Sequence, residues 1–279
     1  MESQSVNVSS LCHRAGISRQ GYYKQTKQRQ RRALAEGSIL NIVRECRQKH
    51  TQMGTKKLLV KIVAQGHSIG RDRLFALLRF KNLLILRRKR FHVTTDSKHG
   101  FRTYSNLLQD LTVTGPHQGW ASDITYIRTK EGFLYLALIT DVGSRKIVGY
   151  CVNDTLEAEG CIKALKMAIR QLPAGASPLH HSDRGSQYCC HAYIKILKKR
   201  KLWVSMTEQN HCYENALAER VNGILKHEYL LKHCFPTKQM ARLACSQAIE
   251  LYNEDRPHMA LDMKTPQQAH MMVSSQIRA

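Results

Sequence analysis

The chain has 279 residues, a hydrophobic fraction of 42% and a formal net charge of +23. This length and apolar content allow one large domain or two smaller ones, and they exclude a chain that is disordered throughout. No run of about 18 apolar residues and no secretion signal is present, so the sequence predicts a cytoplasmic protein that does not cross a membrane.

The first predicted elements are helical and basic. Residues 1–110 contain 23 Lys and Arg against 6 Asp and Glu, a net charge of +17, whereas the other 169 residues carry a net charge of +6. Residues 1–35 are predicted to form a short basic helical segment with a turn at Gly16, and a stronger helical pattern starts near Glu36. This charge asymmetry is typical of a nucleic-acid-binding region joined to a more balanced domain.

Residues 36–92 carry the outline of a DNA-binding helix-turn-helix. One helix is predicted over residues 54–63 and the next over 70–79, with a glycine-containing turn between them. Residues 93–111 are then predicted to be a linker. The candidate DNA contacts in this basic part of the chain are Lys56, Lys57, Arg71, Arg73, Arg87, Arg88 and Arg90.

The pattern changes from helical to mixed after about residue 112. Strands are predicted at 119–128, 133–140 and 146–152, followed in order by a helix, a strand, a helix, a strand and a helix. This order is similar to the ribonuclease-H-like arrangement, an α/β fold with a mixed five-stranded sheet flanked by helices. The fold is expected to span residues 112–272, including a C-terminal helix, with residues 273–279 as a tail.

Three acidic residues lie in different elements of this core. Asp123 falls in the middle of the first strand, Asp183 directly after the fourth strand, and Glu219 early in a helix. The first and fourth strands are neighbours in such a fold, so the two aspartates can point to the same side. Hard divalent cations need oxygen ligands, and two Mg²⁺ ions about 3.5–4 Å apart can stabilise both the attacking and the leaving oxygen of a phosphoryl transfer. The pattern therefore predicts metal-assisted chemistry on a nucleic-acid backbone.

Two other sets of residues are excluded from the metal site. Asp141 lies at a predicted hairpin turn, where Asp is common for local reasons. The nine cysteines are scattered without a Cys-x-x-Cys pair, which predicts reduced thiols and no zinc site.

Several segments resemble the second-frame (OrfB) transposases of bacterial insertion sequences, in the insertion-sequence-three family, whose core is similar to that of retroviral integrases. The resemblance covers nearly the whole chain. The residues that carry it are Trp120–Tyr126, His181–Tyr188, Asn215–Glu219 with Lys226, Tyr252-Asn253, Arg256-Pro257-His258, Leu261 and Thr265-Pro266.

The resemblance implies a DNA transposase that nicks transposon ends and joins the freed 3′-hydroxyl to another phosphodiester. It implies that Asp123, Asp183 and Glu219 are catalytic and hold two Mg²⁺ ions, with Mn²⁺ able to substitute. Lys226 is expected to contact DNA phosphate near the cut. The expected partners are double-stranded DNA of the terminal repeats and of the target, an upstream-frame OrfA product that is fused or associated, and further copies of the chain on DNA associated with the bacterial nucleoid.

Two other functions remain open at this point. One is a DNA-binding regulator with an inactive core, against which the intact carboxylates argue. The other is a structure-selective nuclease of the same fold, which has no evident need for a basic N-terminal part.

Overall fold

The computed structural model describes residues 7–85, 100–208 and 215–272. The chain forms two compact units, one of residues 1–48 with 54–84 and the other of residues 49–53 with 85–279. The candidate DNA contacts Arg87, Arg88 and Arg90 lie outside the described residues, as do part of the predicted linker and the whole predicted tail. In the described part of the chain, no helix is long and apolar enough to cross a bilayer.

The first unit is helical. Helix α1 spans Val8–Arg14 and α2 spans Arg19–Lys49, with Gly16 between them at a φ of +67°. The prediction that the strong helix starts near Glu36 is therefore wrong at its N-terminal end, and the predicted boundary at residue 35 falls inside α2. The first half of α2 is rich in Lys, Gln and Arg, which have high intrinsic helix propensity. Because these residues form no apolar face, hydrophobic periodicity could not predict this part of the helix.

The two helices of the predicted helix-turn-helix are present in this unit. Helix α3 spans Thr55–Ala64 and α4 spans Arg71–Phe80, and the turn between them contains Gly66 at a φ of +81°. Apolar side chains at helical spacing are buried on all three longer helices. They are Ile39, Ile42 and Val43 on α2, Leu58 and Ile62 on α3, and Leu74, Leu77 and Leu78 on α4.

The second unit is built on a mixed five-stranded sheet, as predicted. Its strands are β1 Gly119–Thr129, β2 Gly132–Asp141, β3 Ile147–Asn153, β4 Leu179–Ser182 and β5 Trp203–Met206. Their order across the sheet is β3-β2-β1-β4-β5. The pairs β1–β2 and β2–β3 are antiparallel, whereas β1–β4 and β4–β5 are parallel. The first and fourth strands are therefore neighbours, as the fold prediction required.

Helices cover both faces of this sheet. They are α5 Ala158–Arg170, α6 Ser186–Cys189, α7 His191–Lys199, α8 Ala216–Glu228, α9 Lys238–Glu254 and α10 Pro266–Met272. Because side chains alternate along a strand, β2 serves two cores at once. Ala137 and Ile139 pack with apolar residues of α5 and α7, whereas Leu136 and Leu138 pack with those of α8 and α9. The unit is a three-layer α/β/α structure.

The C-terminal turn of α9 has a structural role. The Tyr252 hydroxyl donates a hydrogen bond to the carbonyl of Arg145 at 2.9 Å. The side chain of Asn253 accepts from the backbone N–H of Ile147 at 2.9 Å and donates to its carbonyl at 3.0 Å. These contacts attach α9 to the β2–β3 hairpin.

Residues 49–53 belong to the second unit although they lie between two stretches of the first. His50 is buried, with its Nδ1 3.0 Å from the Tyr229 hydroxyl and its Nε2 2.7 Å from an Asp255 carboxylate oxygen. Met53 is fully buried as well. Through His50, this short segment is attached to the residues that follow α8 and α9.

Candidate active site

Asp123 and Asp183 lie side by side on neighbouring parallel strands. β1 and β4 are in register at Ala121 and His181. Continuing that register by two residues places Asp183, just beyond the end of β4, level with Asp123. The sheet therefore brings two carboxylates together at the carboxyl end of β4.

The carboxyl group of Asp123 lies in an environment that disfavours its charge. Burial and, next in size, the negative charge of Asp183 raise the pKa of Asp123 to about 7. Two hydrogen bonds act in the opposite direction, one from Asn222 Nδ2 to Oδ2 at 2.7 Å and one from the Ile124 N–H to Oδ1 at 2.8 Å. A divalent cation placed here would favour the charged form, because it offsets both the neighbouring charge and the lost hydration.

Asp183 is held by the loop that begins with it. Its Oδ1 accepts a hydrogen bond from the Gly185 N–H at 3.0 Å. A Cβ atom at Gly185 would lie 3.0 Å from that same oxygen and 2.9 Å from Oε1 of Gln187, so a larger residue here would require both side chains to shift slightly.

Helix α8 presents a polar stripe to β1. The Asn215 side chain donates to the carbonyl of Ser122 at 3.1 Å near the start of the helix, and the Asn222 side chain donates to Asp123 two turns later. Four polar residues recur at spacings of four, three and four and so share one helix face: Asn215, Glu219, Asn222 and Lys226.

Glu219 belongs to this stripe and is exposed. Partial burial raises the pKa of Glu219, and its charge contributes to the raised pKa of Asp123, though less than the charge of Asp183 does. Within the described ranges, no three His, Cys, Asp or Glu side chains lie close enough together to hold one metal ion. The structure therefore brings the two aspartates together and leaves Glu219 within electrostatic reach, outside a three-ligand group.

The donor set around Asp123 suits a hydrated divalent cation. Mg²⁺ typically takes one or two carboxylates and keeps several waters. The Oδ1 atom of Asn222 is buried and has no hydrogen-bond partner within the described residues, and it is an acceptor that a metal-bound water would satisfy. Two adjacent carboxylates with a free acceptor beside them therefore fit the predicted ion.

Lys226 lies at the far end of the stripe, two helical turns after Glu219. Its Nζ is 4.4 Å from the centroid of the Tyr126 ring, an arrangement in which the ring face attracts the cation. Burial lowers the pKa of Lys226, and the negative charge of Asp123 partly offsets that effect. The ammonium group is thus held next to the aspartates by an aromatic ring.

A buried polar network supports the sheet behind the site. Nε2 of His180 lies 2.8 Å from the Ser122 Oγ and 2.8 Å from the Tyr193 hydroxyl. Burial, with a smaller effect of His181, lowers the pKa of His180 to about 3, so this imidazole is neutral at ordinary pH. The network links β1, β4 and α7 and fixes the strand on which Asp123 lies.

Asp141 has a different environment from the other acids. It is fully buried, and its Oδ1 accepts hydrogen bonds from the N–H and the Oγ of Ser144 at 2.8 and 2.9 Å. Its Oδ2 accepts from the His117 N–H at 2.7 Å. The carboxylate thus serves the β2–β3 turn, which agrees with its exclusion from the candidate site.

The described candidate DNA contacts of the first unit lie on α3 and α4. Lys56 is exposed and Lys57 is half-buried. Arg71 pairs with Asp72 at 2.8 Å, and Arg73 pairs with Glu36 at 2.9 Å. Exposed ion pairs of this kind are weak, so a phosphate can replace either acid as the partner of the arginine.

Sequence reasoning missed Asn215 and Asn222 as site residues. Both positions become visible only once Glu219 and Lys226 are placed on a helix, because the four residues then share one face. That spacing was a usable signal in the sequence.

Comparison with known proteins gives consistent matches. Residues 113–212 and residues 200–266 match two profiles that are each described as an integrase core domain. The chain is 38% identical over 261 residues to the insertion element IS600 uncharacterized 31 kDa protein of Shigella sonnei, with 92% of this chain and 96% of that protein covered. It is 31% identical over 271 residues to transposase InsF for insertion sequence IS3A of Escherichia coli (strain K12), with 94% and 93% covered.

Among solved structures, the HTLV-2 integrase catalytic core domain in complex with magnesium is 21% identical, with 57% of this chain and 99% of that chain covered at a TM-score of 0.46. The match to InsF extends over nearly the full length of both proteins and includes every described candidate site residue. The chain belongs to the family of insertion-sequence transposases that includes InsF of IS3, and it carries an integrase core domain.

Proposed function

We propose that this protein is a metal-dependent DNA transposase that nicks the ends of its element and joins the freed 3′-hydroxyl to another phosphodiester. The observation that carries the proposal is the proximity of Asp123 and Asp183 at the carboxyl end of β4, where burial and the charge of Asp183 raise the pKa of Asp123 to about 7. Paired carboxylates of this kind, in a chain of a transposase family, are suited to hold the cation of a polynucleotidyl transfer.

Asp123, Asp183 and Glu219 are the proposed ligands of two Mg²⁺ ions. Glu219 would reach the site by rotation about its side-chain bonds, since it lies on the correct face of α8 and is exposed. When bound, the ions would activate the attacking oxygen and stabilise the leaving oxygen. Mn²⁺ is expected to substitute, because carboxylate and water ligands suit both cations.

The remaining residues of the stripe would position the site and the DNA. Asn222 favours the charged form of the Asp123 carboxylate and orients it through its hydrogen bond. Lys226 would donate to a phosphate next to the cut, since its ammonium group lies on the same face as Glu219, over the ring of Tyr126.

Double-stranded DNA of the terminal repeats and of the target is the proposed partner. The region of residues 36–92 would bind it through Lys56, Lys57, Arg71 and Arg73, followed by Arg87, Arg88 and Arg90. The core of residues 112–272 would perform the chemistry in the bacterial cytoplasm, where the nucleoid lies. Pairing of two ends calls for several copies of the chain, acting with an upstream-frame OrfA product.

A strand-transfer assay tests this proposal. Labelled duplexes that copy the two ends of the element would be incubated with the full chain and Mg²⁺ or Mn²⁺, and nicked and joined strands would be separated by length. The wild-type protein is expected to give both products, and Asp123→Asn, Asp183→Asn and Glu219→Gln are each expected to give neither. Asp110→Asn, an exposed acid of the same unit, is the matched control and should remain active.

Two results would contradict the proposal. Nicking without any joined strand would favour a nuclease. Specific binding of the ends without metal-dependent cleavage, in a folded protein supplied with its OrfA product, would favour a regulator.

A further inference from the structure

One tryptophan of the second unit is on the surface. The chain has two tryptophans; Trp120 is fully buried in the core, whereas Trp203 is 66% exposed. Trp203 begins β5, an edge strand of the described sheet, and its partner on β4 is Leu179. A single exposed apolar side chain is common on protein surfaces, and Trp203 bears on binding because of the charged residues around it.

The same place is strongly basic. No Asp or Glu occurs between Asp183 and Glu208, while five exposed cations do. None of the five forms an ion pair with any described residue. Together with Trp203 they are called the α7–β5 surface: Lys195, Lys198, Lys199, Arg200, Lys201 and Trp203.

A tight turn holds these residues together. The N–H of Lys201 donates to the carbonyl of Lys198 at 3.0 Å, and the N–H of Leu202 donates to the carbonyl of Leu197 at 3.0 Å. Lys201 adopts a left-handed φ of +56° at the reversal. The cations of the last turn of α7 are thereby brought next to the first residue of β5.

The α7–β5 surface is separate from the candidate active site. β4 and β5 are parallel, so Trp203 lies level with the start of β4, whereas Asp183 follows its end. Four residues of strand correspond to roughly 13 Å. DNA bound at Asp183 would therefore have to extend along the sheet to reach Trp203.

Two simpler explanations cover only part of this surface. Lysines in the last turn of α7 interact favourably with the helix dipole, but this effect does not extend to Arg200 and Lys201 or to an exposed indole. A second copy docking through the same patch would bring two sets of five cations together, and like charges at an interface are strongly unfavourable.

We propose that the α7–β5 surface binds single-stranded DNA, with an unpaired base stacked on Trp203 and phosphates paired with the surrounding cations. Stacking on an aromatic face requires a base that is free of its duplex, because a closed duplex offers only base edges and phosphates. The proposal rests on the proposed function, since DNA opened at the candidate active site would supply the strand.

Fluorescence and binding measurements on the full chain test this inference. An oligothymidylate of about 16 nucleotides is added in EDTA, so that no cleavage occurs, and the emission of the exposed tryptophan is followed. We expect quenching that is lost in Trp203→Phe. By anisotropy with a labelled oligonucleotide, Trp203→Leu should bind roughly 5- to 150-fold more weakly, whereas Trp203→Phe retains much of the affinity because a stacking ring remains.

Charge variants test the phosphate contacts. Lys198→Gln, Lys199→Gln and Lys201→Gln combined should reduce the slope of log affinity against log salt by about 0.7 for each lost contact. Lys166→Gln with Arg170→Gln, two exposed cations of α5, is the matched control and should leave the slope unchanged.

The inference would be overturned if Trp203→Leu and the wild-type protein bound the oligonucleotide with equal affinity. It would also be overturned if a duplex of the same length quenched the tryptophan emission as much as the single strand does. Failure of the proposed function is distinguishable from this. A wild-type protein that neither nicks nor joins the ends, but whose emission the oligonucleotide quenches, would overturn the proposed function and support the α7–β5 surface. A wild-type protein that gives both products without quenching would overturn the inference alone.

Discussion

The guanidinium of Arg256 donates two hydrogen bonds to one carboxylate oxygen of Glu228, at 3.0 Å from Nε and 2.8 Å from Nη2. Both side chains are buried. Glu228 ends α8 and Arg256 follows α9, so this charge pair joins the ends of the two helices. Since α8 carries Glu219 and Asn222, the pair contributes to the placement of the candidate active site.

Removing one partner of this pair should destabilise the second unit. Arg256→Ala leaves the Glu228 carboxylate buried without its counter-charge, and the expected loss in unfolding free energy is about 3–5 kcal/mol. The double variant Arg256→Met with Glu228→Leu should recover most of that loss, because it removes both charges and fills the space. Denaturant unfolding measures both; an Arg256→Ala protein as stable as wild type would show that the pair contributes nothing.

Asn222 should control how much metal the enzyme needs. In Asn222→Ala the Asp123 carboxylate loses the donor that favours its charged form. A hydrogen bond to a charged group contributes about 1.5–3 kcal/mol, so the Mg²⁺ concentration for half-maximal cleavage should rise by roughly 10- to 150-fold. The assay is a Mg²⁺ titration of nicking. Gln268→Ala, far from Asp123 in the sequence, is a control that should keep the wild-type midpoint.

Two glycines should respond to alanine in opposite directions. A Cβ at Gly149 in β3 would lie 2.2 Å from the carbonyl oxygen of Ala164 in α5, so Gly149→Ala must push the helix away from the sheet and destabilise the protein. A Cβ at Gly223 in α8 meets nothing within 4 Å, and Gly223→Ala should stabilise by roughly 0.5–1 kcal/mol because alanine favours the helix. Thermal unfolding of the two variants decides both; a more stable Gly149→Ala protein would contradict the packing of α5 on β3.

The buried His180 should make stability fall on acidification. Its pKa is about 3 in the folded chain, below the ordinary value of 6.5, so between these values the unfolded chain binds a proton that the folded chain does not. The contribution is complete above pH 6.5 and is lost progressively as the pH falls towards 3. At pH 5.5 the loss is on the order of 1 kcal/mol. Unfolding free energies measured from pH 7.5 to 5 should fall less steeply in His180→Gln; an unchanged slope would count against a neutral buried imidazole.

The five strands could be predicted from the sequence because short runs of alternating apolar and polar residues mark them. The proximity of Asp123 to Asp183 depends instead on how the strands are ordered in the sheet. The order of elements then placed the first strand beside the fourth. The register at Ala121 and His181, which sets the two aspartates level, needed the structure.

Other features could not be read from local patterns. The N-terminal half of α2 has no apolar face, so its helical state depends on intrinsic propensity rather than on periodicity. The exposed position of Glu219 depends on its side-chain rotamer, which no pattern specifies. The ion pair between Glu228 and Arg256 connects residues that are 28 positions apart. Its formation depends on how the ends of α8 and α9 pack, which local sequence patterns do not predict.

Residues 49–53 determine how the protein can be divided. A fragment that starts at residue 100 contains every strand of the sheet and all the candidate catalytic acids, yet it lacks His50, which is buried against the residues that follow α8 and α9. In such a fragment Tyr229 and Asp255 lose the imidazole between them, and the helix that carries Glu219 loses part of its support. The second unit thus includes five residues that precede α3 in the chain. Cutting the chain at the predicted linker would separate the buried His50 from the rest of that unit.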